Sequence, residues 1–328
     1  MSHLKRIRLL LACFLVLAGT HALAASPGAA NFPQKPLRII VSSAPGGGQD
    51  LTVRPIAQQL SERLGVAVVV DNRGGASGVI AMDLTRQSAP DGYTLLAGAT
   101  SIILMGVTGK VSYDMRKAFE PVVHLTSQPY LFVAHPSLPA RTPREFVALA
   151  KTRPGVLTYG TSGPGSLHNL GMELLQSITG TKLVHVPYKG SGPALVDLLA
   201  GQIDLMFTST TSGAAHVRSG KLRALAITSR NRIAAYPDLP TLSETVAPGY
   251  ELGNIYYLLA PAGTPASILE TLNADISRIL NLPQIRDKFI AEGVTPVTSQ
   301  TVEQFRDEYL REIDKWERFT KHMKLQLS

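Results

Sequence analysis

The sequence predicts a doubly wound α/β protein made of two alternating halves. Short β-branched runs alternate with stretches of helical period. Several strand-to-helix passages run through glycine-rich loops, as at Ser43–Asp50, Asp71–Gly78 and Gly160–Gly165. The alternation also occurs twice, before and after a β-rich run at Pro121–His135. A length of 328 residues fits two domains. A hydrophobic fraction of 45% with 17% charged residues fits packed cores rather than disorder.

Residues 1–24 stand apart. Lys5, Arg6 and Arg8 precede the unbroken apolar run Leu9–Leu17, and Ala22-Leu23-Ala24 offers a small-residue cleavage site. This is the pattern of a cleaved secretory signal peptide. The run is too short for a membrane span of about 20 residues, and no later stretch is long enough. Leu10–Cys13 resembles a lipoprotein signal, but the apolar run continues past the cysteine. Cleavage after Ala24 removes Cys13, the one cysteine of the chain. Disulfides, thiol catalysis and cysteine metal sites go with it. The formal net charge of +8 falls to +5 once Lys5, Arg6 and Arg8 are gone. The remaining basic residues are scattered without aromatic interleaving, which argues against nucleic acid. A mild positive field helps to attract a small acid.

In chain order, Leu37–Val41 is the first strand. The Ser43–Asp50 loop leads into a helix with Leu51, Ile56, Leu60 and Leu64 on one face, ended by Gly65. Val66–Val70 reads as a second, buried strand, and the Asp71–Gly78 loop precedes a helix over Val79–Thr85. Pro90-Asp91-Gly92 turns the chain into a third strand, Tyr93–Ala97. Such alternation means a parallel sheet with helices on both faces. The run Pro121–His135 breaks at Thr126–Pro129, which marks a first crossing between domains. A second unit follows, with a helix near Pro143–Lys151, a strand at Val156–Tyr159, a glycine loop and a helix to Thr179. Strands at Lys182–Val186, Ile203–Thr208 and Arg223–Thr228 then alternate with helices at Pro193–Ala200 and Gly213–Arg218. Asn231–Gly249 is proline-rich and loop-like, and the strand Leu252–Ala260 carries the return crossing at its start. The domains are therefore residues 32–126 with 251–328, and residues 127–250. Three helices end the chain, at Pro265–Leu280, Pro283–Ala291 and Val302–His322. The last carries Phe305, Tyr309, Ile313, Trp316 and Phe319 at three- and four-residue spacing, a stripe suited to packing on the first domain.

The chemistry centres on Leu157–Leu170, reading LTYGTSGPGSLHNL: a strand, a glycine turn and a helix start. The first N–H groups of a helix have no internal partner, and the macrodipole adds roughly half a positive charge there. An anion is the natural occupant. Glycine lets a ligand approach bare backbone, and Thr161, Ser162 and Ser166 add hydroxyl donors. A carboxylate is the expected guest, opposite a second loop of the same design at Ser43–Asp50. Two α/β halves joined by two crossings form a hinge with a cleft between them, and each half supplies one loop at its strand ends. The amides of Gly46, Gly47, Gly163 and Gly165 and the hydroxyls of Ser162 and Ser166 are the expected donors. Asp50 puts a carboxylate near this anion site; capping the first helix, or holding a bridging water, suits it.

Competing motifs fail. A phosphate loop needs Gly-Lys-Ser/Thr, but Gly48 is followed by Gln49-Asp50. A dinucleotide fingerprint needs glycine where Leu51 stands. A nucleophile elbow at Gly160 meets Pro164 where glycine is required. The eight His show no zinc spacing. His168 suits a surface or capping role as well as ligand contact, His185 supports a strand end, and Tyr188 and Lys189 either approach the cleft rim or close a turn.

These loops, with PDGYTLL (Pro90–Leu96), HVPYKGSGPAL (His185–Leu195), GKLRALAITS (Gly220–Ser229) and LLAPAGTP (Leu258–Pro265), resemble the substrate-binding proteins of tripartite tricarboxylate transporters, the Bug receptors. The resemblance runs from about Pro33 to the C-terminus. It implies a periplasmic-binding-protein-like fold of type II, the Venus flytrap, in the periplasm. It implies a small carboxylate ligand delivered to the permease subunits of such a transporter, by a monomer without cofactor, metal or catalysis. The implied site residues are Ser43, Pro45, Gly46, Gly47, Gln49 and Asp50 in the first loop, and Thr161, Ser162, Gly163, Gly165, Ser166 and His168 in the second. Thr100, Ser101 and Thr208 flank them. The chain departs from the family at Thr208, where many members have Asp, which argues against an amino-acid ligand. It departs also at Ser42–Ser43, where Phe and Pro are common, and near Ile255–Tyr256, where many have Trp. A receptor feeding a membrane sensor kinase, and an exported hydrolase using Ser162 or Ser166 with His168, are the rival readings. Ser166 and His168 diverge on a helix start and no partner Asp is evident.

Overall fold

The computed structural model describes residues 32–323, so the signal peptide expected over residues 1–24 lies outside the described residues. In chain order the elements are β1 (Leu37–Val41), α1 (Gly48–Leu64), β2 (Val68–Asn72), α2 (Val79–Arg86), β3 (Thr94–Ala99), α3 (Thr100–Val107) and α4 (Met115–Ala118). Next come β4 (Phe119–Ala134), α5 (Pro143–Thr152), β5 (Thr158–Thr161), α6 (Leu167–Thr179), β6 (Val184–Pro187), α7 (Ser191–Leu199) and β7 (Leu205–Ser209). The remainder is α8 (Thr210–Arg218), β8 (Arg223–Ile227), α9 (Leu242–Thr245), β9 (Gly253–Pro261), α10 (Ala266–Leu280), α11 (Pro283–Ala291), β10 (Thr295–Pro296) and α12 (Val302–Met323). Gly65 ends α1 at φ +69°, a left-handed cap that glycine adopts without a Cβ clash.

The strand order is β2-β1-β3-β9-β4-β7-β5-β6, with β8 and β10 also paired to β4. β1, β2 and β3 are parallel, as are β5, β6 and β7. β9 and β4 run antiparallel to each other and to their outer neighbours. The all-parallel expectation therefore fails at the centre, because one strand carries the chain across and another brings it back. β4 is continuous over 16 residues, not broken at Thr126–Pro129. It pairs with β9 as far as Pro129 and with β7 and β8 from Tyr130 onward. Proline lacks the N–H that a ladder needs, so Pro129 falls naturally at the change of partner. The buried strand expected at Val66–Val70 is instead β2, at the edge of the sheet with Val69 51% exposed. A run of valines does not distinguish edge from centre. α3 is unforeseen, because TSIILMGV is apolar all round and shows no helical period.

Alternate residues of β4 feed two cores. Tyr130, Phe132 and Ala134 join the large cluster that runs under α3, α6 and α12. Leu131 and Val133 pack with Leu195, Leu198 and Met206 in a smaller one. Phe305, Tyr309, Ile313 and Trp316 on α12 are buried in the large cluster, as their spacing predicts. Where the two portions of the sheet meet, Thr228 is fully buried. Its hydroxyl donates to Leu252 O at 2.6 Å and accepts the Tyr130 N–H at 2.7 Å. One side chain thus ties together both passages of the chain.

Candidate functional site

The first loop is wired by its own half. Gln49 is buried; its Nε2 donates to Ala97 O at 2.8 Å and its Oε1 accepts the Ser42 hydroxyl at 3.1 Å. Asp50, 2% exposed, accepts the Gly46 N–H at 2.9 Å and Asn72 Nδ2 at 2.9 Å, and pairs with Arg54 at 2.9 Å. The N-cap of α1 is Gly47, which makes no side-chain cap. Asp50 instead reaches back from the first turn, like the acidic half of a capping box. Its charge is matched by partners within its own half.

The second loop uses neutral groups. Ser166 caps α6, accepting the Asn169 N–H at 3.3 Å, and Asn169 Oδ1 returns to accept the Gly165 N–H at 3.1 Å. Thr161 Oγ1 accepts the Gly163 N–H at 3.2 Å and meets His185 Nε2 at 2.6 Å. The His185 ring stacks on Tyr159 with centroids 5.1 Å apart. His168 Nδ1 lies 2.8 Å from Ser162 Oγ, and its ring sits 4.8 Å from that of Tyr130. Burial pushes the His168 pKa down to about 4, so the imidazole is neutral at pH 7.

Four amides expected to hold the ligand are thus engaged. Gly46, Gly163 and Gly165 donate to the side chains just named, and Gly47 donates to Ala44 O at 3.4 Å. The amides without a protein acceptor lie a residue or two further on, in the first turn of each helix. Those of Gly48, Gln49, Ser101, Leu167, His168 and Ser191 have none among the described residues.

A third loop completes the wall. Gly75 (φ +113°), Ala76 (+46°), Ser77 (+51°) and Gly78 (+103°) run consecutively with positive φ. Ala76 and Ser77 each cost about 1–2 kcal/mol in that conformation. The Ser77 hydroxyl donates to Pro164 O at 3.0 Å, on the second loop. A similar bond runs from Ser212 Oγ to Gly46 O at 3.4 Å. Gly48 leaves no room for a side chain: a Cβ there would collide with Ser209 Oγ and lie 2.7 Å from Tyr256 Oη.

These loops enclose a cavity of about 50 Å³. Its walls carry six serines (42, 43, 77, 101, 162 and 191), with Gln49, Asn254, Tyr130, Tyr256, His168 and Lys189, and no carboxylate. Residues from the first turns of α1, α3, α6 and α7 all reach it. The Ser43 hydroxyl is buried without a partner. Of the expected site residues, Ser43, Gln49, Ser101, Ser162 and His168 line this cavity. Gly163 lines an adjoining groove, and Thr100 lines another beside α12. Pro45, Gly46, Gly47, Asp50, Thr161, Gly165 and Ser166 shape the loops without lining the cavity. Thr208 is buried, with its methyl against Gly213 and its hydroxyl unpartnered. Sequence reading missed Ser77, Tyr130, Ser191 and Asn254 as wall residues, and reached Ser42 and Tyr256 only as positions where the chain departs from the family. For Ser77 and Ser191 a signal was present, since each also sits between glycine and a helix start. Among the described residues no group of His, Cys, Asp and Glu could hold a metal ion.

The family described as tripartite tricarboxylate transporter family receptor matches residues 52–325. The chain belongs to that family. Protein BugT of Bordetella pertussis is 36% identical over 310 residues, 94% of this chain and 95% of that one. The periplasmic binding protein BugD superposes with a TM-score of 0.84 at 29% identity, covering 89% of this chain and 98% of that one. MatC from Rhodopseudomonas palustris with bound malate superposes with a TM-score of 0.82 at 30% identity, covering 88% and 99%. The fold of this receptor is accordingly that of the periplasmic binding proteins, as its sequence motifs imply. No helix among its described residues is long and apolar enough to cross a membrane.

Proposed function

We propose that this receptor takes up a small carboxylate in the periplasm, closes on it, and passes it to the permease subunits of a tripartite tricarboxylate-type transporter, without catalysis. The observation that carries the reading is the cavity wall: six serine hydroxyls, one lysine and four helix starts, with no acid. Such donors form charge-assisted bonds to a carboxylate, about 1.5–3 kcal/mol each. The malate bound to MatC supports an organic acid as the ligand class. The two portions of the sheet, residues 32–126 with 251–328 and residues 127–250, act as separate lobes hinged at Tyr130, Thr228 and Leu252. Closure then shifts a population, and the transporter reads the closed form.

The Ser162–His168 contact at 2.8 Å is the one feature a hydrolase would share. A base with a pKa near 4 is too weak to activate serine at neutral pH, and no carboxylate stands on the cavity wall to orient the ring. A thermal-shift screen of purified protein against small organic acids tests the reading. A ligand at 100 times its dissociation constant adds about 2.7 kcal/mol of stability. Stabilisation by acids, and not by sugars or amines, is the expected result. Turnover of ester substrates would overturn it.

A further inference from the structure

The groove beside α12 differs from the serine-lined cavity in size, lining and charge. Its volume is about 530 Å³, within the range of small-molecule sites, against about 50 Å³ for the cavity. Pro129 walls it from the outgoing strand, Leu252 and Ile255 from the return passage, and Trp316 and Phe319 from α12. The last two rings meet edge to face with centroids 5.4 Å apart. The charged groups of the groove are Glu251, Glu312 and Lys315, two carboxylates against one ammonium. The cavity has the opposite sign, with Lys189 and no carboxylate. An ammonium already sits on the groove wall. Lys315 Nζ stands 5.5 Å from the centre of the Trp316 ring and pairs with Glu312 at 3.0 Å. Trp316 Nε1 donates to the same carboxylate at 3.1 Å, which fixes ring and acid relative to each other. A cation beside both is attracted by the ring face and by the charge.

We propose that this groove binds a small organic ammonium with an aromatic or aliphatic body. The charged head takes the place of Lys315 beside Glu312 and Trp316, and the body packs on Leu252, Ile255 and Phe319. Lys315 yields that place at little cost, because its side chain is 58% exposed and an exposed ion pair contributes little. Glu251 adds a second attraction: it is exposed and makes no hydrogen bond or ion pair among the described residues. The apolar walls decide in favour of an amine with a body over a bare cation, since burying that body adds hydrophobic stabilisation in proportion to its area. Asn254 belongs to the walls of both spaces, so the two sites are neighbours. The proposal stands apart from the carboxylate reading, since the head group it calls for has the opposite charge.

Trp316 is the one tryptophan of the chain, so its fluorescence reports on this groove alone. Titrating wild type, K315Q and E251Q at low salt with phenethylamine, and following both fluorescence and heat, tests the proposal. The controls are 2-phenylethanol, which has the body without the charge, and ethylamine, which has the charge without the body. Phenethylamine is expected to change the Trp316 signal saturably and to bind at least threefold more tightly than either control. K315Q removes the competing ammonium and should tighten phenethylamine about three- to fivefold, whereas E251Q should weaken it about two- to fivefold, the range of exposed ion pairs. Both effects should shrink as salt is raised. The opposite directions separate a binding role from a structural one, because damage to α12 would weaken binding in both variants. No saturable signal, a control bound as tightly as phenethylamine, or K315Q failing to tighten it overturns the proposal. So does heat of binding without a Trp316 response, which would put the amine elsewhere.

Discussion

The loops at Ser43–Asp50 and Thr161–His168 have the same sequence design and opposite wiring. The first is held by a buried charge: Asp50, matched by Arg54 and Asn72. The second is held by neutral reciprocity between Ser166 and Asn169 and by the Thr161–His185 contact. Both arrangements consume the amides of Gly46, Gly47, Gly163 and Gly165 and leave helix-start amides free, that of Gly48 among them. Those four glycines therefore serve the geometry of the turn, and the amides left without an acceptor lie in the first helical turn beyond them. Burying a charge makes the first loop dependent on one side chain, whereas the second spreads its hold over several. Asp50→Ala is expected to cost about 3–4 kcal/mol, near the low end for a broken buried pair because Arg54 is half exposed. Asn169→Ala removes the acceptor of the Gly165 N–H and the Nδ2 donor to Glu173 and Tyr159, all without leaving a buried charge, and should cost about 1–2 kcal/mol. Urea unfolding of both variants checks the contrast, and equal losses would break it.

The second loop has its own exposure to pH. His168 is neutral when folded, with a pKa near 4, whereas in the unfolded chain it titrates near 6.5. Its contribution is complete above about pH 6.5 and is lost as pH falls toward 4, because the unfolded state then binds the proton more readily. The loss over that window is about 2–3 kcal/mol. Subtracting the stability of His168→Gln from that of wild type across the window isolates it. A flat difference would mean that the ring is solvated in the second loop.

The two loops also meet different neighbours. The start of α1 is seated against Ser209 and Tyr256, and Gly48 has no space for a methyl group. Alanine is intrinsically better than glycine in a helix by about 1 kcal/mol, so Gly48→Ala should not harm α1 itself. If the portions of the sheet move as lobes, the variant folds normally and fails to close, losing ligand affinity about 10- to 100-fold, the effect of 1–3 kcal/mol of overpacking. If they are rigid, the same strain appears as lost stability without ligand. Measuring both quantities on one sample decides between them.

Much of this was legible in the sequence, and the misses have physical causes. Period and capping placed α1, α6, α11 and α12 closely, because Gly65, Ser166, Pro283 and the Phe305–Trp316 stripe are local signals. The antiparallel centre was not legible, since partner choice along β4 depends on residues more than a hundred positions away. In the candidate site, the glycine loops of the sequence border the cavity, but the sequence does not tell which of their amides are free. Whether an amide is free depends on where Asp50, Asn169 and Thr161 point, and spacing does not encode that. Tyr256 and Asn254 reach the cavity from the start of β9, ahead of the LLAPAGTP motif that the same strand carries.

The smallest expected effect concerns the bond that joins the third loop to the second. Ser77, itself partly buried, donates to the exposed Pro164 O at 3.0 Å and holds φ at +51°. An exposed neutral hydrogen bond contributes at most about 1 kcal/mol. Ser77→Ala removes the hydroxyl and keeps the strained backbone, so it should weaken ligand binding about two- to fivefold and leave the unliganded stability near that of wild type. Ser77→Gly removes the same hydroxyl but also relieves about 1 kcal/mol of left-handed strain. If the strain is present only in the closed form, the glycine variant should bind more tightly than the alanine variant. If it is present in both forms, the two variants should bind alike and the glycine variant should simply be more stable. Comparing the dissociation constants and midpoints of the pair therefore shows whether the third loop is set before the ligand arrives.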